Sequence, residues 1–112
     1  MSIGSIKYHL VERNKTLFSN GIQDEFDIVL TNDEAKIIVE VKQKVHPNDV
    51  KKVLKKIDNF KRLYPHDNRY QIYGAVAGMT MPQKAIELAQ QYRIIALTQE
   101  GNDLKVLHIP DS

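Results

Sequence analysis

Runs of apolar residues, some alternating and some continuous, divide the chain into strands and helices. Residues 6–12 alternate loosely, residues 22–30 and 36–44 predict two longer strands, and residues 70–79 predict a buried one. Residues 37–39 are β-branched and apolar on both faces, as expected of a central, covered strand. Asn20-Gly21 and residues 31–34 are turn signals, so the strands over 22–30 and 36–44 should form an antiparallel hairpin.

Two amphipathic helices are predicted in the second half of the chain. Apolar residues recur at helical spacing from position 50 to position 64, where Tyr64-Pro65 should close the helix. Pro47 lies just before this helix, and Asn48 or Asp49 can cap its free amides. Pro82 opens a shorter helix with the same spacing at positions 85, 88, 89 and 92. Residues 93–98 and 104–109 predict a final hairpin.

The resulting order is β-β-β-α-β-α-β-β, which predicts the α/β (α+β) class. Strands that are first antiparallel and then joined through helices imply a single mixed β-sheet flanked by helices. Gly74 and Gly78 lie within the strand over 70–79 and indicate a close approach by neighbouring backbone. A length of 112 residues allows one domain, covering residues 1–112.

Composition excludes several kinds of chemistry. The chain has no cysteine, which rules out disulfides, thiolate metal sites and a cysteine nucleophile, and fits a reducing cytosol. Neither a signal peptide nor an apolar run long enough to span a bilayer is visible, so a soluble, cytoplasmic protein is expected. The net charge of +2 says little, but residues 51–62 carry six basic residues against one acid.

The chemistry-bearing residues are Asp27, Glu40 and Lys42. Residues two apart in a strand face the same side, so Glu40 and Lys42 should point together from an otherwise apolar strand. Glu25 and Asp27 should share a face by the same rule, and the hairpin can bring Asp27 near Glu40. Two adjacent carboxylates favour a divalent cation between them, and oxygen ligands favour Mg²⁺ or Mn²⁺ over zinc. The alternative is a surface pair of Glu40 and Lys42 without function.

The four histidines share no metal-ligand spacing and are interpreted as surface or strand-end residues. The basic segment from residue 51 to residue 62 is either a solvated helix face or a surface that attracts the phosphates of a polyanion. Lys44 should share the side of Glu40 and Lys42, where it can contact a phosphate or lie in solvent at the strand end.

The spacing of Asp27, Glu40 and Lys42 resembles the D-x(n)-E-x-K signature of the PD-(D/E)XK nuclease superfamily, whose fold is restriction-endonuclease-like. More closely, residues 25–30, 39–42, 49–50 and 73–79 resemble a group of uncharacterised prokaryotic proteins. In that group a nuclease-like domain follows an N-terminal helical or coiled-coil region. The resemblance covers residues 6–106, nearly the whole chain.

The resemblance implies a Mg²⁺-dependent nuclease that hydrolyses phosphodiester bonds in nucleic acid, with DNA as the expected substrate. It implies that Asp27, Glu40 and the Val41 carbonyl bind the metal, that Lys42 assists the attacking water, and that Glu25 is a supporting acid. The residues expected to contact nucleic-acid phosphates are Lys44, Lys51, Lys52, Lys55 and Lys56. The alternative function is a catalytically silent module that binds nucleic acid or dimerises, because no acid-bearing helix is visible before the first core strand. A homodimer is compatible with either function.

Overall fold

The computed structural model describes residues 2–3, 6–64, 69–101 and 103–110. Two short strands, β1 (Ser2–Ile3) and β2 (Ile6–Lys7), pair with each other. The remaining elements are β3 (Leu10–Ser19), β4 (Ile22–Thr31), β5 (Ala35–Lys44), α1 (Pro47–Leu63), β6 (Gln71–Thr80), α2 (Gln83–Tyr92), β7 (Ile95–Glu100) and β8 (Asp103–His108). No helix in these described ranges is long and apolar enough to cross a membrane.

Strands β3 to β8 form one mixed six-stranded sheet in which neighbours in space are also neighbours in sequence. The pairs β3–β4, β4–β5 and β7–β8 are antiparallel, whereas β5–β6 and β6–β7 are parallel and are joined through α1 and α2. The single mixed sheet with two helices that the sequence predicts is therefore present. The strand predicted over residues 6–12 is divided at Tyr8 and His9, so that its first two residues form β2, and β1 is an addition to the predicted elements.

Both helices pack on the same face of the sheet. Phe60 of α1 packs against Phe26, Val29 and Ile38, while Ala85 and Ala89 of α2 share a buried cluster with Val76 and Ala96. The strand order runs from β5 to β6 to β7 without reversal, so two crossovers of the same hand place both helices on one side. The helices thus flank one face of the sheet only.

In the part of the chain that the structure describes, the opposite face is covered by the N-terminal segment and not by a helix. Ile3 and Tyr8 from the N-terminal segment are buried there with the alternate positions of the central strands. The members that the sheet contributes to this cluster are Ile28, Leu30, Ile37, Val39, Ala75, Ala77, Ile95 and Leu97. Burial on both faces explains the continuous apolar runs in the sequence of β5 and β6.

Several element boundaries differ from the predicted ones, among them the end of β3 and the start of α1. Strand β3 extends to Ser19, well beyond residue 12, because its polar residues suit an edge strand whose ladder is closed by the Asn20-Gly21 turn. Helix α1 begins at Pro47 itself, and the Asp49 carboxylate accepts a hydrogen bond from the backbone amide of His46 at 2.8 Å. Pro65, which was predicted to close the helix, lies outside the described residues.

Candidate active site

The candidate site lies where β4 and β5 separate. The two strands are paired from Thr31 and Lys36 as far as Ile28 and Val39. Beyond that pair, β4 continues its ladder with β3 alone and β5 with β6 alone, within the described residues. The strands therefore form a fork, and Asp27 and Glu40 are the first residues past its closed end.

The two carboxylates replace the ladder bonds that the fork interrupts. The backbone amide of Asp27 donates to Oε2 of Glu40 at 3.3 Å, and the amide of Val41 donates to Oδ2 of Asp27 at 2.9 Å. Each side chain thus satisfies an amide of the opposite strand that has lost its carbonyl partner. The predicted approach of Asp27 to Glu40 is confirmed, and it fixes both carboxyl groups at the mouth of the fork.

Glu40 lies in surroundings that disfavour its charge. Its side chain is 12% exposed. Burial raises the pKa of Glu40 above its ordinary value, the Lys56 ammonium opposes that rise, and the neighbouring Asp27 carboxylate adds to it. A cation placed against this pair of carboxylates would relieve both the repulsion and the cost of burial.

Lys42 and Val41 occupy the next positions of β5. Lys42 is exposed, lies on the same face as Glu40, and is aligned with Gly78 of β6. In the described part of the chain, the ion pair of Glu40 is made with Lys56 and none is recorded with Lys42. The Val41 peptide lies beside Asp27 through its amide bond, while its side chain is 42% exposed.

Glu25 is exposed, and the expectation that it shares a face with Asp27 stays a prediction. Asp24 and Phe26 face α1, and the exposed Glu25 lies between them. Phe26 and Ile28 belong to core clusters on opposite faces, because the regular alternation breaks at Asp27. The break lies opposite Asn14 of β3, whose backbone is in the left-handed region with φ of 51°.

Asp24, Lys56 and Asn59 are members of the site that the sequence analysis missed or placed elsewhere. The Lys56 ammonium donates to Oδ1 of Asp24 at 2.7 Å and to the Glu25 carbonyl, and lies 3.6 Å from Oε1 of Glu40. Asn59 donates to Oδ2 of Asp24 at 2.9 Å. A signal existed for Lys56, since it follows the buried Val53 by three positions and precedes the buried Phe60 by four, which places it on the apolar side of the helix.

The charges of Asp24 and Lys56 support each other. Burial by itself would raise the pKa of Asp24, but hydrogen bonds from Asn59 and Lys56 outweigh it and hold that pKa below its ordinary value. Burial by itself would lower the pKa of Lys56, but the same pairing, together with Glu40, raises it. Both groups therefore stay ionised at neutral pH.

The other lysines proposed to contact nucleic acid are all exposed, and these are Lys44, Lys51, Lys52 and Lys55. Helix α1 begins at the edge where β5 ends, and Lys56 touches Glu40 from its middle. The lysines that precede Lys56 on α1 therefore lie at the same end of the molecule as the fork. Lys56 differs from them because its ammonium is held by acidic groups.

The donor set fits a magnesium-type ion better than zinc. Asp27 and Glu40 offer hard carboxylate oxygens, and Mg²⁺ binds through one or two carboxylates while keeping several waters. Within the described residues, no three acidic, histidine or cysteine side chains converge as a metal-binding group. A metal ion held here would therefore depend on two carboxylates, a backbone oxygen, and water or substrate.

The chain matches a known protein family over most of its length. The profile of a family described as "Domain of unknown function (DUF8196)" matches residues 5–106. The chain belongs to this family. No curated protein sequence is significantly similar to it.

Solved structures show a shared fold. The chain matches a repair endonuclease from Pyrococcus abyssi with a TM-score of 0.55 and 14% identity, covering 80% of this chain and 39% of that one. It matches the structure of an EndoMS–dsDNA complex equally well, over 81% of this chain and 38% of that one. A protein of unknown function, AF1548, gives the same TM-score over 80% of this chain and 48% of that one. The family member described here thus has a nuclease-like fold, and it spans between about two fifths and one half of the length of these proteins.

Proposed function

We propose that this protein is a Mg²⁺- or Mn²⁺-dependent nuclease that hydrolyses phosphodiester bonds of DNA. The observation that carries the proposal is the pair of carboxylates, Asp27 and Glu40, held at the mouth of a strand fork with Lys42 next to them on β5. Burying two adjacent acids costs free energy unless a cation or a proton compensates. A pair of acids that makes the fold less stable in this way is better explained by a catalytic role than by a structural one.

Each residue has a role that its position allows. A divalent ion, when bound, would polarise the phosphodiester and lower the pKa of a water molecule. Asp27 and Glu40 hold the ion, and the Val41 carbonyl is proposed as a further ligand. Lys42, which is exposed on the same face, orients the attacking water or stabilises the developing negative charge. Glu25 is proposed to act at the rim, since its side chain is exposed.

DNA as the substrate is supported by two independent features. Two of the similar structures are titled as a repair endonuclease and as an EndoMS–dsDNA complex, although identity to this chain is only 14%. Exposed lysines at the end of β5 and on the first half of α1 lie beside the fork, where they can neutralise phosphates without reading sequence.

The test combines metal binding with cleavage. Mn²⁺ is titrated calorimetrically into the parent protein, Asp27→Asn, Glu40→Gln and Lys42→Met, and each protein is then incubated with varied DNA and RNA substrates. We expect both carboxylate variants to lose Mn²⁺ binding and cleavage. Lys42→Met should still bind Mn²⁺ but cleave at least about 100-fold more slowly, because it removes a group that acts on the transition state.

Lys105→Met serves as the matched control, since it removes an exposed lysine from β8 instead of β5. It should bind Mn²⁺ and cleave like the parent. A parent protein that leaves every substrate intact while Glu40→Gln binds Mn²⁺ equally well would contradict the proposal.

A second candidate function is a catalytically silent module that binds nucleic acid, with or without dimerisation. The observation that favours it is that Asp27 and Glu40 already bond to backbone amides and so have a structural use. Salt-sensitive DNA binding that survives Asp27→Ala and Lys42→Ala, in the absence of cleavage, would support this module. Light scattering that finds a monomer at high concentration would remove dimerisation from it.

A further inference from the structure

Lys56 brings a positive charge to the buried side of the fork. Its side chain is 22% exposed, and its ammonium lies 5.3 Å from the centre of the Phe26 ring. Five other Lys or Arg residues lie on α1, and the ion pair recorded for them in the described ranges joins the exposed Arg62 and Asp58. Lys56 therefore differs from the solvent-exposed basic residues of α1 and needs a separate explanation.

Three oxygens from separate positions converge on this ammonium. They are Oδ1 of Asp24 at 2.7 Å, Oε1 of Glu40 at 3.6 Å, and the backbone carbonyl of Glu25. Asn59 holds the other oxygen of Asp24 and thereby fixes the direction of Oδ1. Asp24 and Glu40 are 18% and 12% exposed, so water screens their charges only in part.

Two carboxylates and a backbone carbonyl are also the oxygen donors that a hard divalent cation takes in proteins. Glu40 belongs both to this set and to the pair it forms with Asp27, so the ammonium lies directly beside the proposed metal position. Nuclease sites of the two-metal kind hold their ions about 3.5–4 Å apart, sharing a ligand between them. Lys56 stands where such a second ion would share Glu40.

We propose that Lys56 is a built-in cation that takes the place of a second divalent ion, so that the fork accepts one exchangeable metal. The inference rests on the proposed function for the first ion, and assigns Lys56 as a positioning residue that acts through Glu40. It also accounts for Asp24, which serves the ammonium instead of the exchangeable ion.

The experiment counts Mn²⁺ ions per chain by calorimetry and by the electron paramagnetic resonance of free Mn²⁺. The proteins are the parent, Lys56→Ala, Lys56→Arg and Lys52→Ala. We expect Lys56→Ala to bind one more Mn²⁺ per chain than the parent, because the small side chain leaves the three oxygens available. Lys56→Arg keeps the cation and Lys52→Ala alters an exposed neighbour, so both should match the parent.

The double variant Lys56→Ala/Asp24→Asn locates the extra ion, which should disappear when Asp24 loses its charge. An unchanged count in Lys56→Ala, or an extra ion that persists without the Asp24 charge, would overturn the inference. If Lys56→Ala does not fold without metal, Mn²⁺ should restore its circular dichroism spectrum. A variant that stays unfolded at saturating Mn²⁺ contradicts the inference as well.

The outcomes separate this inference from the proposed function. A parent that binds one Mn²⁺ and a Lys56→Ala variant that also binds one would leave the nuclease proposal standing and remove the role of Lys56. A parent that binds none and a variant that binds one through Asp24 would support the role of Lys56 and count against the Asp27–Glu40 metal site.

Discussion

Asp24 and Glu40 are two carboxylates on either side of the same ammonium, yet their surroundings shift their pKa values in opposite directions. Burial raises the pKa of Glu40, and Lys56, at 3.6 Å, does not compensate. Asp24 is buried too, but hydrogen bonds from Asn59 and Lys56 hold its pKa below the ordinary value. Asp24 receives hydrogen bonds from Asn59 and Lys56 that outweigh its burial, whereas the burial of Glu40 is reinforced by the neighbouring Asp27 carboxylate.

The depressed pKa of Asp24 links stability to pH. A carboxyl group with a lower pKa in the folded state contributes stability above its unfolded pKa and loses it as the pH falls through its folded pKa. We expect Asp24→Asn to lower the free energy of unfolding at pH 7 by about 1–3 kcal/mol, since it weakens a hydrogen bond to a charged partner. The difference from the parent should shrink as the pH falls below the ordinary Asp value, as measured by urea unfolding across that range.

The control is Asp58→Asn, which breaks the ion pair with Arg62 on the exposed side of α1. Asp58 and Arg62 are both mostly exposed, so the free energy of unfolding should change by no more than about 0.5 kcal/mol at any pH. A loss in Asp24→Asn that does not vary with pH would mean that its charge is not what stabilises the fold.

At the scale of elements, β6 and α1 pack with no room between them at Gly74. A Cβ added there would lie 2.5 Å from Cγ1 of Val53 and 2.6 Å from Cδ1 of Ile57. The sequence-based expectation of a close approach at this glycine is confirmed, but the partner is the side chains of α1 and not the backbone of a neighbouring strand. At Gly78 an added Cβ would lie 2.9 Å from the Lys42 carbonyl, so a neighbouring strand does approach there.

We expect Gly74→Ala to lower the free energy of unfolding by about 1–3 kcal/mol, because Val53 is stiff at χ1 and cannot withdraw. The double variant Gly74→Ala/Val53→Ala removes the contact with Val53 and leaves the one with Cδ1 of Ile57, which is the far end of a side chain that can move. Its loss should therefore be smaller than the sum of the two single losses by at least about 0.5 kcal/mol, as measured by urea unfolding. Additive losses would show that the new methyl group does not clash with Val53.

The fork between β4 and β5 arises from the way in which the strands pair. Strand β4 stays with β3 and strand β5 stays with β6, so each retains one full ladder while losing the other. The free amides at the point of separation would carry a penalty if Asp27 and Glu40 did not accept from them. Strand separation and acid placement therefore depend on each other.

At the scale of the whole molecule, a net charge of +2 conceals an uneven distribution. Exposed Lys44, Lys51, Lys52 and Lys55 lie at the end of the molecule that holds the fork. Lys61 is exposed on the same helix but near its other end. The charges therefore distinguish one end of the molecule as a surface for a polyanion.

We expect the triple variant Lys51→Ala/Lys52→Ala/Lys55→Ala to weaken DNA binding and to reduce its dependence on salt. Each phosphate contact that is lost should lower the slope of log K against log salt by about 0.9. Fluorescence anisotropy at several salt concentrations measures the slope, and Lys61→Ala is the matched control on the same helix. An unchanged slope in the triple variant, or an equal loss in Lys61→Ala, would place the DNA elsewhere.

The sequence by itself determined the types of the main elements, because the spacing of apolar residues reflects geometry within a few residues. Local spacing also placed Glu40 and Lys42 on one side of β5, because side chains two positions apart in a strand face the same way. This reasoning was wrong where the alternation of side chains along the strand is interrupted. The backbone departs from regular alternation at Asp27, opposite Asn14, and so Phe26 and Ile28, two positions apart, face opposite sides of the sheet.

Only the tertiary structure decided how the site is completed. The contact between Lys56 and Asp24 joins residues 32 apart in the chain, and it depends on where α1 crosses the fork. The placement of both helices on one face likewise follows from the order of strands in the sheet and not from either helix. Local spacing sets which way a side chain points, whereas the partners it meets depend on packing between elements far apart in the sequence.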